Sequence, residues 1–558
     1  MLSHKLSTLL LDSNDERLIT EDGVTLAALK KDVANARESI KAVTHDELAL
    51  FHSDAYIFLV WLLAAWQEGR KVLVPVDKNI ALSPKFTNWF KIGEFDAPDL
   101  TQWGNGKGLD VETFSVLKPG FDALGVFTSG STGEPVRIDK TIRQLENEVD
   151  ALEFTFGAAI PKDVVFYRSV SHQHFFGMPF GVYWAISRGS MISRMAIKGG
   201  HEWNTSNPQV LITSPSFLKS IVDTASQHKN IGTGIQSIFS AGGVLESSIF
   251  TTINAITNTR VVDIYGSSET GHIAWRSSPE MPWQAQAGVQ FKKPIQDVLE
   301  IKSTFCPSDD WFPTSDLARQ NGDSFEILGR ADRIIKVEGT RVSLSQLVGS
   351  IKESLLVEDC QISDLESGRR SQLGAVLKLS PLGIQTLETE GRLGLVNRLK
   401  ESLRGKINSI AIPRRWRFIE DFPRNALGKV LKADLDSLFV EKLKAPIIIS
   451  SRIEDNSVEV VLDMLKSLDC FNGHFEDFPV VPGVALIEWA MNTAKSHLAK
   501  DHHFTGMSQI KFQKFIKPNQ IVRLKLDFNP VSMNLKYQYY SADTIYSSGT
   551  LKLKGEQE

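Results

Sequence analysis

The chain has 558 residues, too many for one compact domain at roughly 150 residues each, so three or four domains are expected. Its composition, 42% hydrophobic and 23% charged with 39 Gly and 22 Pro, excludes a disordered chain, a collagen-like fibre and a disulfide scaffold. A net charge of −4 leaves no chain-wide basic field to recruit nucleic acid or anionic lipid. Cys306, Cys360 and Cys470 lie far apart without CxxC spacing, which points away from a disulfide framework or a zinc site. The longest apolar run, Ala55 to Trp66, is too short for a bilayer core of about 30 Å, so no membrane span is expected. The first twenty residues alternate charge and leucine without a signal-peptide core, and a cytoplasmic location is expected.

Residues 1–331 mix helical apolar periods with β-branched runs such as Val72-Leu73-Val74-Pro75-Val76 and Val261-Val262-Asp263-Ile264-Tyr265. This alternation predicts an α/β layered domain with ligand sites at strand ends. Residues 332–442 begin with a hairpin (Ile334, Ile335, Val337, then Gly339-Thr340-Arg341-Val342) and a helix carrying Leu347, Ile351 and Leu355, a second and smaller α/β lobe. Residues 447–558 follow without a Gly/Ser linker. A helix over Val484–Leu498, apolar on nearly every side through Met491, is expected to be buried. Period-two strands follow at Val522, Leu524, Leu526, Phe528, then Leu535, Tyr537, Tyr539, then Leu551, Leu553. The pattern is α+β.

Chemistry-bearing motifs fall in two groups. In the first, Thr128-Ser129-Gly130-Ser131-Thr132-Gly133 follows the apolar Ala123-Leu124-Gly125-Val126. Such a run either turns N–H groups and hydroxyls around phosphate oxygens or forms a flexible surface loop. GxxxxGK[ST], GxSxG and HExxH do not occur, which weakens Walker-loop, serine-hydrolase and zinc-protease readings. Downstream stand His174-Phe175-Phe176-Gly177, Ser240-Ala241-Gly242-Gly243, Tyr265-Gly266-Ser267-Ser268-Glu269, Thr314-Ser315-Asp316, Gly329-Arg330-Ala331-Asp332 and Pro423-Arg424-Asn425-Ala426-Leu427-Gly428-Lys429.

In this order the segments resemble the motifs of the adenylate-forming enzymes: acyl-CoA synthetases, peptide-synthetase adenylation domains and luciferases. The resemblance implies ATP and Mg²⁺ as cofactors. It places Thr128, Ser129, Gly130, Ser131, Thr132 and Gly133 on the phosphates, and Ala241, Gly242 and Gly243 against adenine. Tyr265, Gly266, Ser267, Ser268 and Arg330 would also contact the nucleotide. Asp316 would hold the ribose and Glu269 the Mg²⁺, with His174, Phe175 and Gly177 near the acyl pocket. Asp332 would be the hinge between lobes and Lys429 the catalytic lysine. The chain departs from the family at Val136, where lysine is usual, at Ser315 and at Gln346. Arg137 or Lys140 could take the place of the missing lysine.

The second group is Gly473-His474-Phe475-Glu476-Asp477-Phe478-Pro479-Val480-Val481-Pro482-Gly483-Val484, with Glu488 further along the helix. A carboxylate on an apolar helix is costly unless partnered or at a rim that reaches water. The segment resembles the HFxxxPxxPGVxxxE signature of the hot-dog 3-hydroxyacyl-thioester dehydratases. That resemblance implies His474 and Glu488 as proton-transfer residues, drawn from two protomers of a homodimer. It also implies the N–H groups of Gly483 and Val484 as oxyanion donors.

Together the two resemblances predict a multidomain fold: an α/β adenylate-forming large lobe, a small α/β C-lobe and a C-terminal α+β hot-dog domain. They predict a bifunctional enzyme that activates an acyl or aryl carboxylate to a thioester and dehydrates 3-hydroxyacyl thioesters. The acceptor would be CoA or the phosphopantetheine of an acyl carrier protein, in fatty-acid-like or aryl-polyene biosynthesis. The alternative is a non-catalytic nucleotide-binding scaffold fused to a dehydratase or thioesterase.

Overall fold

The structure is a computed structural model that describes residues 4–75, 88–104, 114–129, 135–198, 208–224, 234–295, 298–306, 308, 310–322, 324–330, 334–337, 340–367, 370–424, 430–440, 442–473, 477–500, 502–542 and 544–555. Two compact units divide the chain, the first ending at Leu328 and the second beginning at Gly329. The division falls inside the strand Ser324–Arg330.

In the first unit a five-stranded sheet ends in the antiparallel pair β1 (Asp122–Ser129) and β2 (Pro135–Thr141). The Ala55–Gln67 helix packs against this sheet's neighbourhood, and 11 of its 13 residues are buried. That burial explains its apolar run. Among the described residues no helix is long and apolar enough to cross a membrane. Asp54 starts this helix by accepting the N–H groups of Tyr56 and Ile57. Helix α1 (Ile142–Phe156) follows β2 directly, and a capping box between Thr141 and Gln144 sets its first turn. An eleven-stranded sheet makes up most of the rest. Its parallel part contains β3 (Ile235–Ser240) beside β4 (Val261–Ser267), and β4 continues antiparallel with β5 (Gly271–Arg276).

The second unit opens with the expected hairpin, Ile334–Val337 against Thr340–Ser343. The next helix covers Leu344–Lys352, so Leu347 and Ile351 are buried but Leu355 lies beyond its end and is exposed. Helix α2 (Pro381–Leu403), broken at Gly391 where φ is +71°, packs on a three-stranded sheet that includes β6 (Arg415–Ile419).

A six-stranded sheet then wraps one helix. Its strands are β7 (Ile447–Glu454), β8 (Ser457–Met464), β9 (His502–Phe512), β10 (Gln520–Asn529), β11 (Asn534–Ser541) and β12 (Thr544–Gly555), in the spatial order β7-β8-β10-β11-β12-β9. The helix is α3 (Gly483–His497). Strands β10 and β11 alternate buried and exposed residues as their period-two pattern requires.

The two edges of this sheet differ. At β7 the preceding lobe closes the edge: the Glu420 N–H donates to the Ile448 carbonyl at 3.0 Å, and Ile449 and Val461 join the lobe's core with Leu377, Leu399 and Phe418. Arg392 of α2 pairs with the fully buried Asp463 of β8, and Arg523 of β10 pairs with Glu388 of α2 at 2.6 Å. At the other edge, β9 is exposed along most of its length and presents Phe504, Met507 and Phe512.

Candidate active sites

In the first unit the motif segments leave from strand ends. The Ala241-Gly242-Gly243 turn follows β3, and Tyr265 to Ser268 closes β4. These strands are parallel neighbours (Val261 beside Ile238, Asp263 beside Ser240), so both turns issue from adjacent carboxyl ends, where open α/β sheets bind ligands. Gly242 sits at φ +87°, a left-handed conformation that suits glycine. A β-bulge separates Tyr265 from Gly266, and a Cβ on Gly266 would lie 2.1 Å from the Gly271 carbonyl oxygen. The Tyr265 hydroxyl donates to Asp316 Oδ2, which brings together two residues expected to contact the nucleotide, Asp316 at its ribose.

Lys140 ties three further segments to this place. It is 1% exposed because, like Ile138, it points inward from β2. Its ammonium donates to the carbonyl oxygens of Glu269 and Phe305, each at 2.8 Å, and stands 5.1 Å from the Phe175 ring. Thus the strand leaving the Ser/Gly/Thr run, the Glu269 turn and the His174–Gly177 turn meet at one cation. Burial pulls the Lys140 ammonium below the usual lysine range, while Glu148, Cys306 and Glu269 act in the opposite direction. Behind the turn, Glu148 of α1 accepts the His272 backbone N–H at 3.0 Å and lies 2.8 Å from Nδ1. The imidazole stacks on Phe305. Neither Glu148 nor His272 belongs to a recognisable motif; the inward register of Lys140 on β2 was the available signal for the cluster.

Arg137, the other candidate for the missing lysine, is held on the outside by Glu47 and Asp139 (Nε to Asp139 Oδ1, 2.7 Å). Gly177 fits a tight turn in which a Cβ would lie 2.2 Å from the Ser171 carbonyl oxygen. Phe175 and Phe176 are nearly buried, and Phe180 is wholly core, against Trp184, Phe239 and His272. The Glu269 carboxylate, half-buried, makes no hydrogen bond or ion pair among the described residues. Arg330 is exposed at the end of its strand. Thr128 and Ser129 end β1, paired with Val136 and Pro135. Gly130, Ser131, Thr132, Gly133, Asp332, Lys429 and His474 lie outside the described residues.

In the second unit α3 begins at Gly483, so the N–H groups of Gly483 and Val484 fall in the first turn, whose donors have no acceptor within the helix. A Cβ on Gly483 would lie 2.5 Å from the ring of the exposed Phe512. The expectation that α3 is buried nearly all round is corrected. Ala485, Leu486, Trp489, Ala490 and Ala494 face the sheet, but Val484 is 74% exposed and Glu488 is exposed. A single sheet covers only one side of a helix, and here Glu488 is on the other.

Comparison with known proteins agrees with both halves. Residues 28–300 match the family described as AMP-binding enzyme, and residues 450–550 match the family described as ApeI dehydratase. The chain joins an AMP-binding enzyme domain to an ApeI-like dehydratase domain. The AMP-binding part is similar to the 4-coumarate–CoA ligase of Cereibacter sphaeroides, 23% identical over 305 residues that cover 54% of this chain and 69% of that ligase. The ApeI-like part is similar to the FabZ 3-hydroxyacyl-[acyl-carrier-protein] dehydratase of Halalkalibacterium halodurans, 33% identical over 66 residues. That match spans 11% of this chain and 47% of the FabZ protein, and a match to surfactin synthase subunit 1 of Bacillus subtilis spans 4% of that subunit. Among solved structures, ATP-bound MatB from Rhodopseudomonas palustris superposes with a TM-score of 0.62 at 17% identity, covering 79% of this chain and 99% of MatB. The adenylate-forming fold is therefore present, followed by a hot-dog dehydratase domain.

Proposed function

We propose that the chain is a bifunctional enzyme: an AMP-forming acid–thiol ligase and a 3-hydroxyacyl-thioester dehydratase. A carboxylate is a poor electrophile. In the first reaction its oxygen attacks the α-phosphate of ATP, pyrophosphate leaves, and a thiol then displaces AMP from the acyl-adenylate. The observation that carries this reading is the Tyr265–Asp316 hydrogen bond beside the Ala241–Gly243 turn, with Lys140 fixing the Glu269 turn to the same place.

Asp316 holds the ribose hydroxyls, and Thr128 to Gly133 offer N–H groups to the phosphates. The unengaged carboxylate of Glu269 suits Mg²⁺, which commonly takes one or two carboxylates together with substrate phosphates. When bound, the ion neutralises phosphate charge. Lys429 stabilises the charge that develops as pyrophosphate departs. Asp332 is the hinge about which the lobe bearing Lys429 changes position between the two half-reactions.

In the second reaction His474 removes a C2 proton of the 3-hydroxyacyl thioester. Glu488 donates a proton to the departing 3-hydroxyl, which leaves as water and yields the trans-2-enoyl thioester. The first-turn N–H groups of Gly483 and Val484 receive the thioester oxygen as enolate charge grows. An exposed Glu488 and an uncovered β9 edge support completion of this site by a second copy of the chain. CoA or carrier-protein phosphopantetheine carries the acyl group, and fatty-acid-like or aryl-polyene synthesis in the cytoplasm is the setting. The test is a carboxylate-dependent pyrophosphate-release screen with both acceptors, run beside enoyl-thioester hydration. Absence of carboxylate-dependent release across acyl and aryl acids, with hydration intact, would reduce the AMP-binding half to a scaffold.

A further inference from the structure

A second polar site lies where the lobe and the hot-dog sheet meet, within the second unit. Arg392 of α2, Arg417 of β6, and Leu465, Lys466, Ser467 and Asn519 from the hot-dog side line a cavity of about 350 Å³. Arg417 is 6% exposed. Its Nε donates to the Leu438 carbonyl at 2.7 Å and its Nη1 to the Trp416 carbonyl at 3.0 Å, and Nη2 has no acceptor among the described residues. Arg392 spends its two amino groups on Asp463 and the Trp416 carbonyl. Arg415 is anchored beside them through the Phe439 carbonyl at 2.7 Å.

The charges do not balance. Three guanidinium groups share a region in which, among the described residues, Asp463 is the carboxylate that answers them, and the exposed Lys466 lines the same cavity. Burial lowers Arg417 to about 10, with Arg392 and Arg415 pushing the same way and Asp463 opposing them. Asp463 Oδ1 and Ser467 Oγ are buried polar atoms with no partner among the described residues. Lys466 is presented by a fixed loop: its N–H donates to Asn519 Oδ1 at 3.1 Å, and Asn519 sits at φ +64°. A buried arginine with a free amino group, beside a second arginine, a lysine and a hydroxyl, is the donor set that recognises a tetrahedral oxyanion. A volume of about 350 Å³ is at the small end for ligand pockets, enough for a phosphate or diphosphate group.

We infer that this junction binds a phosphoryl group, held by Arg417 of the lobe and by Lys466 and Ser467 of the hot-dog domain, with the charge of Arg392 beside it. The inference does not depend on either proposed reaction. The sources of such a group are free phosphate or pyrophosphate and the phosphate of a pantetheine ester.

The test is calorimetric titration of the full chain with inorganic phosphate, pyrophosphate and 4′-phosphopantetheine, each in the wild type, Arg417→Gln and Lys466→Glu. Loss of one charged donor is expected to weaken binding on the order of tenfold to a hundredfold. Arg417 also braces two backbone carbonyls, so the Lys466→Glu variant, altered only at an exposed side chain, decides if Arg417→Gln fails to fold. Tighter binding of the pantetheine ester identifies an ester source, and tighter binding of pyrophosphate identifies the free ion. Affinities for all three probes that are unchanged in a folded Lys466→Glu protein, or no binding at all, overturn the proposal.

Discussion

Replacing Lys140 by methionine keeps the length of the side chain and removes the cation at which three segments of the AMP-binding unit meet. Each of its two bonds, to the carbonyls of Glu269 and Phe305, is charge-assisted and contributes about 1.5–3 kcal/mol. Relief of the cost of burying an ammonium returns part of that sum, whereas two carbonyls lose their donor and the buried Glu148 loses a nearby positive charge. The net expectation is a loss of about 3 kcal/mol in stability of the first unit. The Glu269 turn also loses its tether, so KM for ATP should rise about tenfold, with a smaller change in kcat. Arg137→Gln is the matched control: Arg137 is about one-third exposed and pairs with exposed carboxylates, so it should cost about 1 kcal/mol or less. Urea unfolding followed by tryptophan fluorescence, with pyrophosphate release on the same samples, reads both quantities. If Lys140→Met unfolds at the wild-type urea concentration, or Arg137→Gln is the more damaging change, the placement of Lys140 as the structural hub is wrong.

Lys429→Ala should slow adenylate formation by about 10²–10³ with little change in ATP affinity, read as kcat for carboxylate-dependent pyrophosphate release. Asp316→Ala should instead raise KM for ATP, and an unchanged KM removes the ribose assignment. His474→Ala and Glu488→Gln should each cut enoyl-thioester hydration by about 10²–10⁴ and leave adenylation intact. Co-expression of these two variants should restore some hydration through mixed dimers, and no restoration argues against a site shared between copies. Burial lifts the Asp263 carboxyl to about 6 against the opposing pull of Arg276. Because the folded state then holds its proton more tightly than the unfolded chain, stability should fall as pH rises from about 4 to about 6 and stay level above, by roughly 3 kcal/mol. Asp263→Asn should flatten that slope in urea titrations across this range.

What could be read from the sequence was local. The Tyr265 to Glu269 segment, Thr314-Ser315-Asp316 and the turn at Ala241 are contiguous strings of residues, and the strands that carry them show their periods plainly. The meeting of Lys140 with Glu269 and Phe305 joins residues 129 and 165 positions apart, and no local pattern encodes such a distance. Period-two register on β2 nevertheless favours Lys140 over Arg137, since Lys140 shares the inward face of Ile138. The exposure of Glu488 was one of two readings the sequence left open, because the apolar residues of α3 look alike whether a sheet or a second copy of the chain covers them. The junction was hidden for a different reason: Asp463 sits on β8 among apolar neighbours, and its partner Arg392 is on a helix of the other fold.

The two unlike edges of the hot-dog sheet bear on how the second unit would unfold. One edge is fused through a common core to the lobe that precedes it, and the other is open at β9. Within the second unit the lobe and the sheet also share the Arg392–Asp463 and Arg523–Glu388 pairs, so they should melt as one cooperative body. Cutting the chain between them would expose apolar surface on both pieces instead of releasing two independent domains.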